Sequence, residues 1–463
     1  MDYDLIIIGS GPGGYAAAIR ASQLKMEVAV IEKSELGGVC LNWGCIPTKS
    51  LLKSAQVLSY IRHASDYGVS LEGEIKADFG AIIARSRSVA EKMSKGVQFL
   101  FRKNGITHIQ GFGRLSGSNS VEVEDHNGKK SSYTAKNIIL ATGAKAKDIP
   151  AIKQDGIKII SYREAMVLKD QPHSMVIVGA GAIGTEFADF FHTIGTEVTL
   201  IELLPRIIPN EDEEISKQLE RSFKKKKMKI MTGSSVESVD TSGDKCLVTV
   251  KTPDKTETLT VDIVLSASGV TPNTEGMGLE ETGVKTEKGK VEVDDFYKTS
   301  IPSVYAIGDI VHGPALAHVA SAEGIACVEK IAGLSVKPID YNNIPSCIYT
   351  SPEVASTGMT EAAAKEAGYD IRVGKFPFTA SGKANAAGSK EGFVKLIFDS
   401  RYGELLGAHM IGDNVTEMIS EIVVARNLET TAHEIIKSVH PHPTFSEAIM
   451  EAAAAAYDEG INV

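Results

Sequence analysis

Cys40 and Cys45 stand five residues apart in Gly37-Gly38-Val39-Cys40-Leu41-Asn42-Trp43-Gly44-Cys45-Ile46-Pro47-Thr48-Lys49, shortly after a glycine-rich turn. Two thiols this close can form a reversible two-electron couple. Five residues of regular helix rise about 7.5 Å, beyond the roughly 7 Å Cα limit for a disulfide, so the two cannot share one regular helix. The spacing predicts Cys40 ahead of a helix and Cys45 in its first turn, where unpaired amides and the helix dipole stabilise a thiolate. A structural disulfide and half a metal site are the alternatives. Zinc sites usually present two close pairs, whereas Cys246, Cys327 and Cys347 lie far along the chain, so no metal is expected.

A second set of reactive types closes the chain in His440-Pro441-His442-Pro443-Thr444-Phe445-Ser446-Glu447. Thr444 and Glu447 have capping-box spacing, which would place Glu447 at the start of a final helix. Glu447 could equally orient His442 and raise its basicity, as a carboxylate does in a triad, and the two roles are compatible. Metal binding by His440 and His442 is the third option, and it is disfavoured because no cysteine stands nearby and Glu447 already has these two roles.

The elements that must position these groups include an internal duplication. Two segments about 170 residues apart each read strand, glycine turn, helix, strand and terminal acid. The first runs from Leu5-Ile6-Ile7-Ile8 through Gly9-Ser10-Gly11-Pro12-Gly13-Gly14 to Val28-Ala29-Val30-Ile31 and Glu32. The second runs from Val176-Ile177-Val178 through Gly179-Ala180-Gly181-Ala182-Ile183-Gly184 to Val198-Thr199-Leu200-Ile201 and Glu202. In both the acid follows the third glycine by 18 residues, 14 to 32 and 184 to 202. This is the context in which such glycines let a pyrophosphate approach a helix N-terminus while the acid takes ribose hydroxyls. Glu202 favours NAD over NADP, since a carboxylate repels a 2′-phosphate; the nearby Arg206 is the one residue that argues the other way. Farther on, the strand Val304-Tyr305-Ala306-Ile307 ends in Gly308-Asp309, which either sets a carboxylate on a polyol hydroxyl or simply turns the chain.

Size and composition bound the rest. A chain of 463 residues suggests roughly three domains. Its 43% hydrophobic content and mean hydropathy of −0.03 fit a globular protein, and no apolar run reaches the roughly 18 residues of a membrane helix. A net charge of −10 argues against nucleic acid as a partner. Lys224-Lys225-Lys226-Lys227 is the exception and reads as a solvated helix end. Five cysteines are no extracellular disulfide framework, and Met1-Asp2-Tyr3-Asp4 leads directly into a strand, so a cytoplasmic protein is expected. From Ile344 the pattern changes to alternating strands such as Phe393-Val394-Lys395-Leu396-Ile397-Phe398, followed by helices. This predicts an α+β domain for interaction or active-site completion.

The cysteine motif, both fingerprints, Ala141-Thr142-Gly143, Gly308-Asp309 and the His-Pro-Thr segment together resemble the FAD-dependent pyridine nucleotide-disulfide oxidoreductases, over essentially the whole chain. The resemblance implies an α/β fold: two Rossmann-like FAD/NAD(P)-binding domains plus a C-terminal α+β dimerisation domain. Its expected boundaries are 1–149 for the first part of the FAD-binding domain, 150–271 for the NAD-binding domain, 272–343 for the second, central part, and 344–463 for the interface domain. It also implies that Cys40 exchanges disulfides with substrate while Cys45 lies against the flavin, and that Lys49 and Glu186 pair beside the ring. FAD is assigned to Gly9, Gly11, Gly14, Glu32, Lys49, Gly113, Thr142, Gly143, Ala144, Asp309, Ala315, Leu316, Ala317 and His318. NAD is assigned to Gly179, Gly181, Gly184, Glu186, Glu202, Val236 and Gly269. In a homodimer each protomer would present His442, held by Glu447, to the other's cysteines.

The expected reaction is oxidation of a protein-bound dihydrolipoyl group, with electrons passing through the Cys40–Cys45 disulfide and FAD to NAD. Lipoyl domains of 2-oxo acid dehydrogenase complexes, or the glycine cleavage carrier protein, would be the partners. The rivals are a glutathione-type disulfide reductase, disfavoured by Glu202, and a non-catalytic FAD-binding subunit, disfavoured by intact Cys40, Cys45, His442 and Glu447. Two positions depart from the family pattern: Val270 stands where many relatives have arginine, and Trp43 replaces a small aliphatic residue.

Overall fold

The computed structural model describes residues 1–462. Leu5-Ile6-Ile7-Ile8 forms the end of strand Tyr3–Ile8 with all four side chains buried. A strand apolar on both faces belongs inside a parallel sheet covered on both sides. It pairs in parallel with Val28–Glu32 and with Lys130–Leu140. Thr107–Gln110 extends one edge, and Val304–Ala306 returns from far along the chain to extend the other. Lys130–Leu140 serves twice. Its residues 135–140 lie in the parallel sheet, and 130–134 form an antiparallel ladder with Ser120–Glu124, which Phe112–Gly117 continues.

Ser174–Val178 repeats the central role in a second sheet, parallel to Glu197–Ile201 and Ile263–Ser266, with Lys229–Met231 and Ile159–Ile160 outside them. Close packing explains the third glycine of each fingerprint. A Cβ on Gly14 would lie 2.0 Å from the Gly9 carbonyl oxygen, and one on Gly184 would lie 1.8 Å from that of Gly179. Gly9 and Gly179 have φ of 105° and 100°, a region that side chains oppose.

The C-terminal sheet is antiparallel, ordered Ser346–Ile348, Glu353–Gly358, Leu405–Gly412, Phe393–Asp399, Ile371–Pro377. Phe393–Asp399 does not alternate as its sequence suggested: all seven residues are buried. Helix Glu447–Ala455 packs on this sheet so closely that a Cβ on Gly374 would lie 1.8 Å from the Ala452 carbonyl oxygen. Lys395 points into a group of acids from other elements, with its Nζ 3.0 Å from Asp212, 2.9 Å from Glu214 and 2.7 Å from Glu361.

The lysine run also differs from a simple solvated end. Helix Glu213–Lys225 stops within it, but Lys226 is half-buried and reaches the buried Asp189 at 2.8 Å. One core runs through all three parts of the molecule. It joins Leu51, Leu52, Ala55 and Leu58 of helix Cys45–Arg62 to Phe187, Phe190 and Phe191 of helix Ala182–Ile194, and to Ile348 and Phe393 of the C-terminal sheet. Each of the leucine, isoleucine and phenylalanine side chains contributes about 1.5–3 kcal/mol when fully buried, so the segment carrying the cysteines is fixed by the seam between units. Among the described residues, no helix is long and apolar enough to cross a membrane.

Candidate active site

Cys40 precedes the helix in whose first turn Cys45 lies, as the spacing suggested, but it is not in extended chain. It lies within a short helix of its own, Gly38–Trp43, and Cys45 is the first residue of helix Cys45–Arg62. Gly44 breaks the chain between them with φ −142° and ψ −114°, which removes the length conflict of one continuous helix. Both cysteines are free thiols that share a side-chain hydrogen bond. That bond is the main cause holding the Cys45 thiol down at about 7; Lys49 assists, while burial and Glu186 oppose. Cys40 moves the opposite way, pushed up by the same bond and by burial. The pair thus holds one proton unequally, with Cys45 as the preferred thiolate.

Lys49, one helical turn after Cys45, pairs with Glu186 of the second unit at 2.8 Å. Glu186 is only 6% exposed and also accepts the Tyr349 amide at 3.0 Å, while the Tyr349 ring lies 4.3 Å from the Lys49 ammonium. Three parts of the chain therefore meet at one ion pair. Tyr349 was not singled out from sequence, because nothing local marks an aromatic just past strand Ser346–Ile348 as a neighbour of Lys49.

The residues expected to hold FAD converge on one edge. Gly9 follows Ile8, Glu32 ends its strand, Thr142 follows Leu140 and Asp309 follows Ala306; these strands are parallel, so all four lie at their carboxyl ends. Gly11 has open space where a Cβ would stand, as does Gly143. Glu32 accepts from the Ser10 amide and the Ser34 amide, each at 2.9 Å. Carboxylate oxygens keep further lone pairs, so the group remains able to accept ribose hydroxyls. Burial raises the Asp309 carboxyl, which makes no hydrogen bond within the described residues; a polyol hydroxyl would supply one. These features fit FAD.

Several assigned positions act through the backbone or through packing. A Cβ on Gly113 would meet Ile31 at 2.9 Å. Thr142 donates to the Asn273 carbonyl at 2.7 Å and Ala144 is buried. Ala315 and Leu316 lead into helix Ala317–Ile331, whose second residue, His318, has a ring nitrogen 2.9 Å from the Pro345 carbonyl. Sequence reading missed Glu323 and Tyr341. Glu323 accepts the Gly308 amide at 2.6 Å and the Tyr341 hydroxyl at 2.7 Å, and so fixes the turn that carries Asp309.

The second unit repeats the arrangement around Glu202, which accepts the Ala180 amide at 2.7 Å and the Leu204 amide at 2.9 Å. Gly181 and Gly269 have open space where a Cβ would stand, and Val236 lies on the neighbouring strand Ser235–Asp240. Arg206 spends its guanidinium on the Pro209 carbonyl at 2.9 Å, which weakens the argument for a phosphate ligand. These residues fit NAD.

His442 lies in the loop just ahead of the final helix. Its Nδ1 donates to Glu447 at 2.9 Å, its side chain is 78% exposed, and its Nε2 makes no hydrogen bond among the described residues. Glu447 opens the final helix and also accepts the Thr444 amide at 2.8 Å, so it caps and orients at once. The Thr444 hydroxyl turns to the Pro441 carbonyl, leaving half of the expected capping box. His440 is different: its ring nitrogens are occupied by Glu421 and the Ser438 carbonyl, both at 2.9 Å.

Comparison with known proteins gives a consistent result. The family model described as pyridine nucleotide-disulphide oxidoreductase matches residues 3–324, and that family's dimerisation-domain model matches residues 344–453. The dihydrolipoyl dehydrogenase of Rhizobium etli is 48% identical, covering 99% of each chain. That of Zymomonas mobilis is 44% identical, again covering 99% of each. The crystal structure of LpdA from Mycobacterium tuberculosis matches with a TM-score of 0.91 at 28% identity, covering 97% of this chain and 98% of that one.

Proposed function

The chain belongs to the pyridine nucleotide-disulphide oxidoreductase family, and on that premise we propose that it oxidises protein-bound dihydrolipoamide to lipoamide through Cys40 and Cys45, using FAD and NAD+. The observation that carries this reading is the unequal dithiol: Cys45, at a helix N-terminus beside Lys49, is held at about 7. The dimerisation domain makes the working unit a homodimer.

In the oxidised protein the two cysteines would be bridged. His442 Nε2, without a hydrogen-bond partner among the described residues, takes the proton from one thiol of the dihydrolipoyl group, while Glu447 holds the ring through Nδ1. The new thiolate attacks the Cys40 sulfur, breaking the Cys40–Cys45 bond and releasing Cys45 as thiolate. The second substrate thiol passes its proton to the departing Cys40 sulfur as it attacks the substrate sulfur bound to Cys40, closing the lipoyl ring and freeing Cys40 as a thiol. Substrate loses two electrons and the cysteine pair gains them. Gly9 to Gly14, Glu32 and Asp309 would hold FAD, which would supply a two-electron acceptor beside the cysteine pair, and Gly179 to Gly184 with Glu202 would hold NAD+ as the final acceptor. Glu202, with Arg206 engaged elsewhere, favours NAD+ over NADP+.

The partners proposed are lipoyl domains of 2-oxo acid dehydrogenase complexes or the glycine cleavage carrier protein, and the setting is cytoplasmic. NAD+ reduction with dihydrolipoamide, run beside NADPH oxidation by glutathione disulfide, tests the activity. Turnover of dihydrolipoamide alone supports the reading, and turnover of glutathione disulfide alone overturns it. Co-expression of Cys45→Ser with His442→Gln tests the shared site. Action between protomers restores about a quarter of wild-type activity, from one intact site in the half of dimers that are mixed. Action within one protomer restores none.

A further inference from the structure

Trp43 lies between the two cysteines, and the reaction above gives it no role. Its indole carries two guanidinium groups, Arg87 at 4.1 Å and Arg163 at 4.4 Å from the ring centroid. Its Nε1 donates to Glu35 at 3.3 Å, and Arg163 reaches the same carboxylate at 3.9 Å. Arg87 also donates to the Asn42 carbonyl at 2.6 Å. That carbonyl belongs to the last turn of the short helix Gly38–Trp43, where carbonyls lack internal partners and a cation is favoured.

Arg87 does not act alone. It sits on helix Phe79–Lys103, where Ser86 donates to the Pro47 carbonyl at 2.9 Å and Arg85 to the Ser50 carbonyl at 2.9 Å. Three consecutive side chains thus hold backbone on both sides of Cys45. Arg163 comes from elsewhere, the short helix Tyr162–Ala165 that precedes the second fingerprint, where Ser161 and Glu164 form a capping box. Trp43 is the side chain on which these two supports meet, one residue before the irregular backbone of Gly44.

We propose that Trp43, stacked with Arg87 and Arg163, is a positioning residue that holds the Gly44 turn so that Cys40 and Cys45 stay in hydrogen-bonding reach, tying the dithiol to the second nucleotide-binding unit. The proposal rests on the dithiol reading of the preceding section. Because the Cys40 hydrogen bond is the main cause of the low Cys45 value, a loosened turn shows itself as a later thiolate midpoint.

The test is the pH profile of iodoacetamide alkylation in the reduced holoenzyme. Trp43→Leu is expected to move the midpoint up by about one pH unit, with about tenfold slower alkylation at neutral pH. Trp43→Phe keeps an aromatic face for the arginines and is expected to stay within about threefold of wild type. Arg163→Gln changes an exposed residue, leaves the core intact, and is expected to slow alkylation about threefold. An unchanged midpoint in Trp43→Leu or, should that variant not fold, in Arg163→Gln overturns the proposal, even where thermal stability falls. Dihydrolipoamide turnover by the wild type is measured on the same preparation. Its absence overturns the proposed activity, while the midpoint comparison still decides the role of Trp43.

Discussion

Glu186 holds Lys49 through both carboxylate oxygens, at 2.9 and 2.8 Å, across 137 residues of sequence. The two members act on Cys45 with opposite signs: Lys49 lowers its thiol value and Glu186 raises it. Lys49→Met is therefore expected to move the thiolate midpoint above about 7, and Glu186→Gln to move it below. Alkylation profiles of the two variants check this, and shifts in the same direction would contradict it.

His442 and His440 are two residues apart yet differently placed. The His442 side chain is 78% exposed, with Nε2 free of partners among the described residues; His440 is 7% exposed and bound on both nitrogens. His442→Gln is expected to lower kcat/KM for dihydrolipoamide by about 10² to 10⁴, the usual worth of a general base. His440→Gln is expected to cost stability more than turnover. Burial works to raise the Glu447 carboxyl, but the Thr444 amide and His442 together hold it below its usual range. Its contribution to the loop is thus present above the ordinary 4.5 and is lost as pH falls through the lowered value. Glu447→Gln should slow turnover less than His442→Gln, as steady-state kinetics at neutral pH would reveal.

Lys395 is 2% exposed and faces three carboxylates, so removing it strands buried negative charge. Lys395→Met is expected to cost about 3–5 kcal/mol, much of it recovered when Asp212→Asn is added, because the pair is coupled. Burial pushes the Lys395 value down, yet its carboxylate partners win and raise it, so its contribution is complete below the ordinary 10.5. Asp212, Glu214 and Glu361 are lowered, so their contribution is present above the ordinary range of 3.8 to 4.5 and is lost on acidification. The wild type should lose more thermal stability between neutral and acid pH than Lys395→Met, as melting curves would show.

Gly181 and Gly184 separate ligand space from packing space. A Cβ on Gly181 meets nothing within 4 Å, whereas one on Gly184 would collide with the Gly179 carbonyl. Gly181→Ala is expected to leave the melting temperature near wild type and raise KM for NAD+ about tenfold or more by intruding on the pyrophosphate. Gly184→Ala is expected to lower the melting temperature as well.

What could be read from residues alone was local. The paired fingerprints, the acids at 32 and 202, and the cysteines beside a helix start each follow from short spacings with a backbone reason. Glu447 was legible too, since three residues separate it from the amide that it caps. The places where local reasoning failed share one cause. Cys40 received its own helix because the Gly44 turn is stabilised by Arg87 and other groups of helix Phe79–Lys103, which no spacing rule includes. Phe393–Asp399 lost its alternation because Lys395 meets Asp212, 183 residues away, on the face expected to be wet.

The sequence by itself determined which groups can do the chemistry, because glycine conformation, thiol spacing and strand patterning act over a few residues. Only the tertiary structure decided how they are set: Glu186 beside Lys49, Tyr349 against that pair, Trp43 under two arginines, and His442 exposed with its ring held by Glu447. Those relationships depend on how helix Cys45–Arg62 packs into the seam between units, where burial of distant side chains rather than local propensity fixes distance and charge.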